Sequence, residues 1–163
     1  MLRSLNFACL LLFCLPLSAK APPEQPIAPD WQLLTEAGKQ IKSTEFAGKP
    51  LIIHFWATWC PYCKKLQPGL DKLYKTYHKD GLQLIAVSFL EDQGATPQAE
   101  LEARGMSFET AVNGDHVARK LFAVEGTPTT VFIDKHGRIV ASTRSSDPDD
   151  PRLETMVKLL LTL

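Results

Sequence analysis

HFWATWCPYCKKLQP, residues 54–68, decides how the rest of the chain is read. An apolar run (Leu51, Ile52, Ile53, Phe55, Trp56) leads into two cysteines, Cys60 and Cys63, and a helical pattern follows. Leu66, Leu70, Leu73 and Tyr77 fall at i, i+4, i+7 and i+11, one face of a 3.6-residue period. The cysteine pair therefore sits where a buried strand hands over to a helix. With Cys60 as N-cap, Pro61 occupies N1, where a missing N–H costs nothing and φ is already helical. The N–H groups of Tyr62 and Cys63 can then point at the Cys60 sulfur as they would at a capping oxygen. A helix N-terminus favours thiolate over thiol, and the thiolate is the reactive form. Cys63, one turn in, lies within disulfide reach of Cys60. The pair reads as a redox dithiol, Cys60 the nucleophile and Cys63 the resolving thiol.

The remaining composition narrows the alternatives. The chain has 163 residues, 45% hydrophobic and 22% charged, values that suit one globular domain. Lys plus Arg and Asp plus Glu both number 18, which points to neither nucleic acid nor an acidic substrate. Residues 1–19 read as a secretory signal peptide: Arg3 supplies the positive start, Phe7 to Leu17 the apolar core, and Leu17-Ser18-Ala19 a small-residue exit. An uncleaved membrane anchor is the rival reading of the same stretch. Cleavage after Ala19 removes Cys9 and Cys14 and leaves Cys60 and Cys63 alone in an oxidising compartment. A structural disulfide between them would close almost no loop and so stabilise little, which favours a redox role. A zinc site would need two further ligands, and His54, His78, His116 and His136 are single and widely spaced. No metal is expected.

Residues 20–30 hold Pro22, Pro23, Pro26 and Pro29 and read as a linker ahead of a domain spanning 31–163. Trp31 to Leu34 and Lys39 to Lys42 predict a hairpin around Glu36-Ala37-Gly38. Leu51 to Trp56 and Leu82 to Leu90 predict strands buried on both faces. Thr96-Pro97 predicts a helix start with the threonine as cap. Residues 105–113 suggest a short edge strand before a helix near Asp115 to Phe122. Thr129 to Ile133 and Arg138 to Ser142 predict a hairpin, and Asp150-Pro151 a terminal helix carrying Leu153, Met156, Val157 and Leu160 on one face.

FWATWCPYCKKLQP resembles the active-site segment of thioredoxin-fold proteins, specifically the TlpA-like periplasmic thiol:disulfide oxidoreductases. Gly126-Thr127-Pro128 and the Thr129 to Asp134 strand are similar to the family's cis-proline loop, and Trp31 to Pro50 to its N-terminal hairpin. The resemblance implies an α/β thioredoxin fold: a central mixed sheet flanked by helices, with an N-terminal β-hairpin and a βα insertion over residues 91–114. It implies a cis Thr127–Pro128 bond facing the dithiol, a Thr127 backbone open to an extended client segment, and Trp59 and Tyr62 as flanking substrate contacts. His54 stands where thioredoxins place aspartate, and Glu91 matches a glutamate of some members; both are candidates for proton transfer or tuning of the dithiol. The expected activity is disulfide reduction in the periplasm through a mixed disulfide, by a monomer. No cofactor is expected beyond the redox-active Cys60–Cys63 disulfide. The expected partners are disulfide-bearing client proteins and a membrane thiol-transfer electron donor. Pro61-Tyr62 departs from the family's usual dipeptides, so a disulfide-forming oxidase is the alternative; a copper-binding or chaperone module using the same two thiolates is the alternative of another class, disfavoured because no His or Met stands beside the CxxC, with Met106 left as a candidate ligand. Ala57, where a TxxC peroxidase motif needs threonine, disfavours a peroxidase.

Overall fold

A computed structural model describes residues 25–163. The stretch read as a leader, residues 1–19, and the first residues of the expected linker lie outside the described part. Seven strands form one mixed sheet: β1 (Gln32–Thr35), β2 (Gln40–Lys42), β3 (Leu51–Trp56), β4 (Gln83–Ser88), β5 (Glu109–Val112), β6 (Thr129–Ile133) and β7 (Ile139–Thr143), in the order β2-β1-β5-β4-β3-β6-β7. β3, β4 and β5 run parallel, and β6 pairs antiparallel with β3. The helices are α1 (Pro61–Tyr77), α2 (Pro97–Ala103) and α3 (Pro151–Thr162).

Every residue of β3 is buried, which is why its sequence shows no polar alternation. Ile52 and Trp56 face a core with Leu66 and Leu70 of α1, Leu101 of α2, and Leu153, Val157 and Leu160 of α3. Ile53 and Phe55 face the other way, onto Ile41, Phe89, Val117 and Val131. Burying both faces of a strand this apolar stabilises the domain by roughly 1.5–3 kcal/mol per large side chain. The indole N–H of Trp56 donates to Thr110 Oγ1 at 3.0 Å and ties β3 across to β5.

Several local expectations are corrected. Residues 109–112 are an interior strand, held between β1 and β4, and the sheet edges are β2 and β7. The strand was read as an edge because a four-residue run carries too little pattern to show that both flanks are paired. The segment after it is helical over residues 115–121, as expected, but its last turn, Val117–Leu121, is widened, closed by Phe122 N–H on the Val117 carbonyl and ended by left-handed Ala123. β4 stops at Ser88 instead of Leu90, because Leu90 adopts φ 58° and turns the chain. Thr96 holds the N-cap position of α2 without making a side-chain cap bond; the Glu36 carboxylate of the β1–β2 turn accepts from Gln98 N–H at 2.7 Å instead. The last residues of the Pro-rich segment are bound to the domain: Ile27 bridges Arg138, and Ile139 N–H donates to the Pro26 carbonyl at 2.8 Å.

α1 packs so closely on the loop before α3 that Gly69 has no room for a side chain, since a Cβ there would collide with the Pro148 backbone. In an open helix Gly→Ala stabilises by about 1 kcal/mol. Gly69→Ala is expected to destabilise instead, by roughly 1–3 kcal/mol of overpacking, read as a lower urea midpoint at unchanged slope. A variant as stable as the parent would show that the α1–α3 approach is looser than described.

Candidate active site

The strand-to-helix handover works as its sequence implies. Cys60 sits at the N-cap of α1 with extended backbone (φ −82°, ψ 106°), Pro61 starts the helix, and Cys63 N–H donates to Cys60 Sγ at 3.1 Å. The two cysteines form a disulfide, with Cα atoms 5.3 Å apart. Cys60 keeps 2% of its surface exposed and Cys63 none, so only Cys60 faces an incoming partner. Trp59 and Tyr62 stand out beside it, 49% and 63% exposed, unusual for aromatic side chains of this size.

Two loops frame the dithiol. The turn at Leu90 brings its carbonyl to Trp59, whose indole N–H donates at 2.7 Å. The next residue, Glu91, accepts from Thr58 N–H at 2.9 Å and from the Thr58 hydroxyl at 2.6 Å. The Glu91 carboxylate is thereby fixed two residues ahead of Cys60. Thr58 escaped the sequence reading; a lone hydroxyl between Ala57 and Trp59 carries no recognisable signal until its partner is known. On the other side, the Thr127–Pro128 peptide is cis. The register Phe55↔Thr129 places Thr127 and Pro128 just past the end of β3, at the same end of the sheet as Cys60. Gly126 carries no side chain where the Arg144 guanidinium lies across it, a Cβ there being 2.8 Å from Arg144 Nη2.

Beneath the dithiol lies a buried polar layer. His54 is fully buried, its Nδ1 3.3 Å from Thr130 Oγ1, and its Nε2 has no protein partner. Burial, and secondarily the positive charge of Arg104, lower its pKa to about 3, so the imidazole is neutral. Gln67, one turn below Cys63, is also fully buried and accepts from Arg104 Nη2. Neither Gln67 nor Arg104 was singled out from sequence, because a glutamine on a helix face and an arginine after one both read as solvated. Lys64 pairs with Glu100 of α2 at 2.8 Å. Among the described residues no group of three or more His, Cys, Asp or Glu is placed to hold a metal.

A capped CPYC disulfide on this sheet, beside a cis-proline loop, defines a thiol-disulfide oxidoreductase of the thioredoxin fold. Residues 25–142 match the AhpC/TSA family, and the chain belongs to that family. It is 29% identical over 132 residues to the thiol-disulfide oxidoreductase ResA of Geobacillus thermodenitrificans, covering 79% of this chain and 75% of that one. With ResA of Halalkalibacterium halodurans the identity is 33% over 103 residues, 63% of this chain and 58% of the relative. A crystal structure of a candidate thiol:disulfide interchange protein DsbE from Chlorobium tepidum superposes with a TM-score of 0.74 at 26% identity, over 85% of this chain and 98% of that one. The TlpA-like resemblance of the sequence agrees with these relatives.

The neutral His54 has a measurable consequence. Its folded pKa lies below the unfolded 6.5, so the unfolded chain binds the extra proton and stability falls as pH drops below 6.5 toward 3. Asp71, Asp134 and Asp150 are also lowered, from 3.8, by their hydrogen bonds and cations, and act mainly below about pH 5. Urea midpoints of the oxidised protein should therefore decline between pH 6.5 and 5, and His54→Asn should flatten that interval alone. An equal slope in parent and variant would place the titration elsewhere.

Proposed function

We propose that the protein reduces disulfides of client proteins in the periplasm. Carrying this reading is the position of Cys60: at the helix N-cap, with Cys63 N–H on its sulfur, and, of the pair, the one that keeps any exposed area. In the reduced protein the Cys60 thiolate attacks one sulfur of a client disulfide and expels the other as a thiolate. Cys63, as thiolate, then attacks Cys60 Sγ and releases the second client thiol. The client gains two electrons and the Cys60–Cys63 disulfide forms, which is the oxidised state seen here. A dithiol donor must then re-reduce it, and in an exported protein that donor has to draw electrons through the membrane. Trp59 and Tyr62 offer the client an amphipathic platform, and the Thr127 backbone beside cis-Pro128 offers it an edge to pair with. His54, its pKa lowered to about 3, is too weak a base to take the resolving thiol's proton and contributes a neutral polar group instead.

Export rests on the leader-like residues 1–19; no helix among the described residues is long and apolar enough to cross a membrane. The reductive direction rests on Glu91. Its carboxylate, locked onto Thr58, disfavours a second anion at Cys60, and a less stabilised thiolate makes the disulfide less oxidising. The oxidase alternative would need that balance reversed. A peroxidase within the same family would need a hydroxyl where buried Ala57 stands.

Cys63→Ser should accumulate mixed disulfides with exported proteins, while Cys60→Ser traps none. Faster alkylation of Cys63 than of Cys60 in the reduced protein would reverse the two roles. Glu91→Gln should make the dithiol several-fold more oxidising against glutathione. A parent potential near about −120 mV, the strongly oxidising end of the range, would sink the reductase assignment.

A further inference from the structure

Pro68 lies inside α1 and has no N–H to give to the carbonyl four residues back, that of Lys64. The gap is filled from outside the helix. Arg104, at the C-terminal end of α2, donates from Nη2 to the Lys64 carbonyl at 3.4 Å and to Gln67 Oε1. Lys64 follows Cys63 directly, and Gln67 is one turn, about 5.4 Å along the axis, below it. A guanidinium thus docks against the first two turns of the helix that carries the dithiol. Its Nη1, the Gln67 Nε2 and the His54 Nε2 are all buried without a protein partner, so three polar atoms here are not consumed by holding the fold together. Such atoms are rare in folded proteins and call for a reason.

We propose that Arg104 is a positioning residue for the dithiol, a cation seated in the Pro68 gap of α1 that favours the thiolate form on the turn above it. The inference rests on the dithiol-exchange reading of Cys60 and Cys63. Glu100 is the acidic group that acts on Arg104, and it does not offset the cost of burying the guanidinium. Glu100 of α2 is engaged by Lys64 at 2.8 Å. Asp71, the next turn of α1, is held by Ser107 N–H at 2.7 Å and by Lys75. His54 of β3 is neutral. Arg104 and Glu91 therefore flank the dithiol from α2 and from the Leu90 turn with opposite charge, and they pull the stability of the reduced form in opposite directions.

The test uses the full chain with Arg104→Gln, which keeps donors for Gln67 and the Lys64 carbonyl but removes the charge, and Arg104→Lys, which keeps the charge. Equilibration with glutathione gives the potential, and thiolate absorbance against pH gives the ionisation of the reduced dithiol. Arg104→Gln should shift the exchange equilibrium about tenfold toward the disulfide, some 30 mV more negative, and move the thiolate signal to higher pH. Arg104→Lys should recover most of both. A merely structural role would lower the melting temperature of both variants and leave potential and ionisation at parent values, which would overturn the proposal. So would a lysine variant displaced as far as the glutamine one. If Arg104→Gln does not fold, Gln67→Met, which loosens the guanidinium without removing it, should give a smaller shift of the same sign, and no shift would overturn the proposal. A parent chain that never equilibrates with glutathione overturns the exchange reading itself, and this inference with it.

Discussion

The structure depends on β3 being buried along its whole length and then ending abruptly at a helix start. A strand covered on both faces must lie inside the sheet, so β4 and β6 are obliged to flank it. Its direction then fixes where α1 begins, and Cys60 becomes the N-cap because Pro61 can only open a helix there. The reactive sulfur is aimed by backbone geometry before any neighbouring side chain contributes. The surrounding groups adjust its chemistry and do not create it.

Those adjusting groups come from regions that do not belong to the strand–helix unit. The Leu90 turn supplies Glu91, the end of α2 supplies Arg104, and the loop before β6 supplies cis-Pro128. Two of the three lie in the βα insertion at 91–114, which carries α2 and β5. The insertion therefore does more than enlarge the sheet: it brings a carboxylate to Thr58, two residues before Cys60, and a guanidinium to the Lys64 carbonyl, next to Cys63.

How much of this was legible in the sequence follows from the range of each interaction. The dithiol, the capped helix and the doubly buried strands are written in contiguous residues, so period and spacing reveal them. The cis-proline loop was legible only through family resemblance, since nothing local to Gly126-Thr127-Pro128 dictates the isomer. Thr58, Gln67 and Arg104 were not legible, because each acquires meaning from a partner 33, 37 or 40 positions away. The interior placement of β5 was hidden for the same reason: pairing on both flanks is a property of β1 and β4 as much as of residues 109–112. Thr96 shows the converse, where a correct cap position was taken over by the carboxylate of a distant turn.

The bridge between Ile27 and Arg138 sets the direction in which the molecule can be held. Arg138 lies at the start of β7, which the register of β6 on β3 puts at the Leu51 end of the sheet, whereas Cys60 follows the Trp56 end. Pro26 and Ile27 are consequently held at the pole facing away from the disulfide. Any surface to which that segment is fastened sees the back of the domain, and the dithiol is presented outward like the tip of a probe on its stalk.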